Sequence, residues 1–131
     1  MEQSKVLVFV VEDEILIQEM LEDALVDDGF AVERAATGEK AIEMLDAPEA
    51  AYRALVTDIN LAPGKITGWE VAKRGREINP DLPVVYMTGN DSHDWASQGV
   101  PNSILVIKPF APAQIVTAVA QLLNLGNTPG V

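Results

Sequence analysis

Four places in the chain carry side chains that could act together on a charged group. Glu12-Asp13 follows one short apolar run, Asp58 ends a second, Thr88 closes a third and Lys108 follows a fourth. Each has an ordinary explanation alone. Acidic residues after a strand often cap a helix or form a turn, a Thr there often reflects β-propensity, and a Lys before Pro is usually a solvated charge. Taken as a set they offer three carboxylates, a hydroxyl and an ammonium. Closely spaced carboxylates repel and tolerate one another when a cation lies between them. Oxygen donors without His or Cys suit a hard ion, and Mg²⁺ prefers few carboxylates plus water and phosphate oxygens. A metal, a lysine and a hydroxyl around one remaining carboxylate can stabilise a phosphoryl group in transfer, with that carboxylate as nucleophile. Gly89, directly after Thr88, leaves room for such a group to enter.

The set converges only if the runs are strands of one parallel sheet. Val6–Val11 is six apolar residues, mostly β-branched, and reads as a buried central strand. Arg53–Asn60 reads as another, ending at Asp58 and followed by the turn formers Ala62-Pro63-Gly64-Lys65-Ile66-Thr67-Gly68. Phe30–Ala35, Pro83–Met87 and Ser103–Ile107 are the remaining strands. Helical stripes lie between them. Ile17, Met20, Leu21, Ala24 and Leu25 form the first, stopped by Gly29. Thr37 caps the second, which buries Ala41, Ile42 and Leu45. Thr67 and Glu70 have capping-box spacing ahead of a stripe of Val71, Ala72, Gly75 and Ile78, where Gly75 implies close packing. Asp91–Gly99 makes a short, poor helix. Pro112 opens a last helix with Ile115, Ala118, Val119, Leu122 and Leu123 inward, closed by Gly126 before a frayed tail. Five strands alternating with five helices, (βα)5, predict an α/β doubly wound fold. All strand carboxyl ends then share one edge, where ligands bind in such sheets. Chance placement of polar groups at four of five ends is the poorer explanation.

The totals agree with a single domain, residues 1–131 with a core over about 5–125. The chain has 131 residues, 48% of them apolar, and no cysteine for a disulfide, thiolate metal site or thiol nucleophile. No apolar run is long enough to span a bilayer and no signal peptide is evident, so a cytoplasmic protein away from membranes is expected. Twenty acidic residues against nine basic ones give a net charge of −11, which disfavours nucleic-acid binding.

Glu12-Asp13, Asp58, Thr88-Gly89 and Lys108-Pro109-Phe110, in that order, resemble the receiver domain of two-component response regulators, over roughly Lys5 to Leu125. The resemblance implies the flavodoxin-like strand order 2-1-3-4-5. It implies that Asp58 accepts a phosphoryl group from a phosphohistidine on a histidine kinase or histidine phosphotransferase. Asp13, Asp58 and the Asn60 backbone carbonyl would bind Mg²⁺ directly, and Glu12 would act through metal-bound water. Thr88 would hydrogen-bond the phosphoryl group, Lys108 would pair with it, and Lys108-Pro109 would match a bond often cis in the family. The apolar Ile15 and Leu16, off the core stripe, would dock the kinase. A downstream protein target and a weak homodimer are also compatible with the resemblance.

Two positions depart from the family pattern. Leu105 stands where a switch aromatic is common, with Tyr86 as a substitute or simply a core residue. The loop from Asp58 to Gly68 is about two residues longer than the norm, a tolerated insertion. With only a short tail after the last helix, a stand-alone regulator is expected, the alternative being an excised receiver of a hybrid kinase. A Mg²⁺-dependent aspartyl-phosphate hydrolase is a competing reading. Such enzymes want a second Asp two residues after the nucleophile, where this chain has Asn60. A flavin-binding relative is disfavoured by the acidic Glu12-Asp13-Glu14 loop, which would repel flavin phosphate.

Overall fold

The structure, a computed structural model, describes residues 5–61, 64–89 and 94–127. The elements alternate in chain order: β1 (Leu7–Val11), α1 (Ile15–Asp27), β2 (Ala31–Ala35), α2 (Gly38–Leu45) and β3 (Ala54–Asp58). Then follow α3 (Gly68–Ile78), β4 (Val84–Thr88), α4 (Trp95–Gln98), β5 (Ser103–Ile107) and α5 (Pro112–Asn127). The five strands pair in parallel in the order β2-β1-β3-β4-β5, as the alternation and the resemblance imply.

Side chains alternate across each strand, so the sheet feeds two cores. Phe9, Val11, Leu55 and Tyr86 point to one face, where they meet Ala41 and Leu45 of α2 and Trp69, Val71 and Ala72 of α3. Val8, Val10, Val56, Val85 and Met87 point to the other, against Leu21 and Leu25 of α1 and Ile115, Ala118 and Val119 of α5. Central strands buried on both faces must read as continuous apolar runs, and β1, β3 and β4 do.

The helix starts follow their sequence signals. The Thr37 hydroxyl accepts the Lys40 N–H at 3.0 Å. Thr67 and Glu70 form the reciprocal capping box. Pro112 is the first residue of α5. Gly75 is closely packed, since a Cβ there would lie 2.7 Å from Leu82 Cδ2.

Four details differ from expectation. Met20 is 39% exposed, and the buried polar residue of α1 is Gln18. Its amide reaches the carbonyls of Glu12 at 2.6 Å and Ala35 at 3.3 Å, which compensates its burial. Ile78 ends α3 half exposed rather than in the core. Helix α5 runs through Gly126 to Asn127. A glycine commonly stops a helix by taking a left-handed backbone, and among the described glycines only Gly29 does, with φ 99°. Helix α4 covers Trp95–Gln98, and the start expected at Asp91 lies outside the described residues, as does the tail beyond Asn127.

Candidate functional site

The parallel register brings the expected polar residues to one edge. Asp58 is the last residue of β3 and Thr88 the last of β4; Glu12 and Lys108 directly follow β1 and β5. The pairing continues a step beyond the strands. The Glu12 N–H donates to the Ala35 carbonyl, Ile59 N–H to Met87 and Lys108 N–H to Thr88 at 2.7 Å. These bonds fix the backbone from which the site's side chains project.

Glu12, Asp58 and Thr88 are buried, Asp13 and Lys108 half-buried. Lys108 Nζ lies 3.1 Å from Asp58 Oδ2 and 3.4 Å from Glu12 Oε1. One oxygen each of Glu12, Asp13 and Asp58 lies within 4.8 Å of the others. This donor set is all oxygen, one carboxyl group from each of three residues, which fits a hard divalent cation such as Mg²⁺. Asn60, two residues past Asp58, is exposed, and so is Gly89. The Lys108–Pro109 bond is cis.

The electrostatics record crowding. Burial first, then the Asp58 charge, pushes the Glu12 carboxyl up to about 7. Burial also raises Asp58, and Asp13 adds to this, while the Lys108 ammonium pulls the other way. Burial lowers Lys108, but its bonds to Asp58 and Glu12 outweigh that and raise it. A cation among these carboxylates would relieve the repulsion that Lys108 only partly offsets.

Leu105 is partly buried and faces Tyr86 across the β4–β5 pair. Tyr86 is fully buried, its ring 4.7 Å from that of Trp69, and its hydroxyl accepts the Val100 N–H at 3.0 Å. Beside the site, a cavity of about 390 Å³ is lined by Ile17, Met20, Lys108, Pro109 and Phe110. Ile15 and Leu16 are 55% and 79% exposed near the start of α1.

Sequence reasoning missed two residues. Gln18 fastens the end of β1 through the Glu12 carbonyl. Its signal was a polar residue at helical spacing with Leu21 and Leu25. Glu39, in the first turn of α2, accepts the Lys65 N–H at 2.9 Å and so holds the loop after β3. No local pattern announces a contact 26 residues away.

Fold and site together define a doubly wound α/β domain whose strand-end edge gathers three carboxyl groups, two of them bridged by a lysine. The chain belongs to the response regulator receiver domain family, whose family model matches residues 8–120. It is the receiver domain of a two-component response regulator; receiver domains bind Mg²⁺ at such an acidic pocket and are phosphorylated by histidine kinases. The chain is similar to a crystallised response regulator receiver protein from Sinorhizobium medicae, with 45% identity and a TM-score of 0.88 over 92% of this chain and 96% of that one. It is also similar to the chemotaxis response regulator CheY4 of Vibrio cholerae, with 27% identity and a TM-score of 0.75 over 91% and 99%. The probable transcriptional regulatory protein SilR of Salmonella typhimurium is 30% identical over 123 residues, 92% of this chain and 52% of that protein. The chain thus spans about half the length of the curated relatives it matches. Among the described residues, no helix is long and apolar enough to cross a membrane.

Proposed function

We propose that Asp58 is the phosphoacceptor of this receiver and that Mg²⁺ is held by Asp13, Asp58 and the Asn60 carbonyl, with Glu12 acting through metal-bound water. The observation that carries the reading is the Lys108 ammonium 3.1 Å from Asp58 within a cluster of three carboxylates. An Asp58 oxygen bonds to phosphorus, and the phosphorus–nitrogen bond of a donor phosphohistidine breaks. The imidazole nitrogen leaves with the electron pair. A Mg²⁺ held there would supply positive charge to the phosphoryl oxygens. Lys108 favours the ionised form of Asp58 and then pairs with the charge that Asp58 gains. Thr88 donates its hydroxyl to a phosphoryl oxygen. The new contacts favour one of two arrangements of the β4 and β5 ends, which is the signal.

The donor is a histidine kinase or histidine phosphotransferase. It docks on Ile15 and Leu16, which lie exposed two and three residues after Asp13.

Intact mass after incubation with Mg²⁺ and acetyl phosphate tests the chemistry. Wild type gains about 80 Da and Asp58→Asn gains nothing. Equal gain in both would move the phosphoacceptor elsewhere, and no gain in wild type, even with a phosphohistidine donor, would overturn the reading.

A further inference from the structure

The loop between β3 and α3 is anchored at two points that the site itself does not explain. At α2, Gly38 has no room for a side chain: a Cβ there would lie 2.5 Å from the Ile66 carbonyl oxygen and 2.8 Å from Ile66 Cβ. One residue on, Glu39 Oε2 accepts the Lys65 N–H at 2.9 Å. That bond first, then the backbone N–H groups of Glu39 itself and of Ile66 nearby, hold its pKa below the ordinary carboxylate value. At β3, the Gly68 N–H donates to the Ile59 carbonyl at 2.8 Å, and a Cβ on Gly68 would collide with the Asp58 carbonyl oxygen. Residues 65–68 therefore run as a short strut from the first turn of α2 to the backbone of Asp58. Glu39 is exposed, and among the described residues its carboxylate makes no hydrogen bond or ion pair with the site's carboxyl groups or Lys108.

We propose that Glu39 is a positioning residue for the phosphoacceptor. Its carboxylate holds Lys65, and through Gly68 it fixes the height of Asp58 relative to Lys108 and the acidic pair Glu12-Asp13. This role rests on the phosphoacceptor reading of Asp58. A misplacement of about 1 Å at a reacting carboxylate is enough to slow transfer substantially. Charge supports the assignment, because a carboxylate in the first turn of α2 lies at the positive end of the helix dipole. The strut thus couples the α2 start, an element with no chemistry of its own, to the site.

The test measures three quantities in wild type, Glu39→Ala and Glu39→Gln: hydrogen exchange at the Lys65 amide, Mg²⁺ affinity by calorimetry, and the rate of mass gain with acetyl phosphate. In Glu39→Ala the Lys65 amide loses protection, the Mg²⁺ Kd rises and labelling slows, each about fivefold, the equivalent of one hydrogen bond. Glu39→Gln keeps the length and an acceptor oxygen, so it restores most of the affinity and rate. A loss of Lys65 amide protection alone, with Mg²⁺ affinity and labelling rate unchanged in Glu39→Ala, would overturn the role and leave the phosphoacceptor reading intact. A wild-type chain that neither binds Mg²⁺ nor gains mass would overturn that reading, and this role with it.

Discussion

Tyr86 and Leu105 are register partners across the β4–β5 pair and pack into the same core. The aromatic ring of this pair sits on β4, one strand inward of β5, and its hydroxyl accepts the Val100 N–H. The ring is a fixed core element that also ties the segment before β5 to β4.

Replacing Tyr86 with Phe leaves the buried Val100 N–H without its acceptor. The expected loss is about 1–3 kcal/mol, or roughly 3–10 °C in melting temperature. Thermal unfolding by circular dichroism measures it. An unchanged melting temperature would mean that the bond contributes nothing net.

Both tyrosines of the chain should resist ionisation. Burial raises Tyr52, as does its bond to Glu33 at 2.7 Å, and burial raises Tyr86. A raised phenol favours the folded state below the ordinary value near 10, and that stability is lost as pH rises through the folded value. Phenolate absorbance should therefore appear late, together with unfolding. A wave centred near pH 10 in folded protein would contradict the burial of both rings.

Mg²⁺ should stabilise the fold, because the acidic cluster of Glu12, Asp13 and Asp58 is only partly balanced by Lys108. At about a hundred times its Kd, mass action adds about 2.7 kcal/mol, roughly 10 °C here. Chelation reverses the shift and Asp13→Ala abolishes it. Scanning fluorimetry with and without the ion reads both.

Replacing Ile15 and Leu16 together with Asp should separate docking from chemistry. Both side chains are exposed, so the fold should hold. Transfer from a phosphorylated kinase should slow at least tenfold, an effect on the order of an interface hot spot, while acetyl phosphate labelling stays at the wild-type rate. Equal slowing of the two reactions would place the defect in the site instead.

How much of this was legible follows from where each determinant sits along the chain. The alternation of apolar runs and helical stripes specified the sheet, because strands buried on both faces have little choice but to be continuously apolar. The convergence of Asp58, Thr88 and Lys108 came with it, since parallel strands put their carboxyl ends together. Met20 was misplaced because the buried face of α1 is centred on Gln18, Leu21 and Leu25, and apolar content alone cannot see that an amide will find two carbonyls. Glu39 was invisible because its partner lies in a loop 26 residues away. Local pattern reports what an element needs for itself, and it is silent on what holds two elements in place.

The two glycines that border the site should tolerate change in opposite ways. At Gly68 the Asp58 carbonyl occupies the place of a side chain, whereas at Gly89 no described atom lies within 4 Å of an added Cβ. In a saturation library selected for signalling, position 68 should return glycine almost alone, while position 89 should accept alanine and serine. The site can thus drift in lineage and in design at its β4 rim. At the start of α3 it is locked to one residue, and any new specificity has to be written elsewhere.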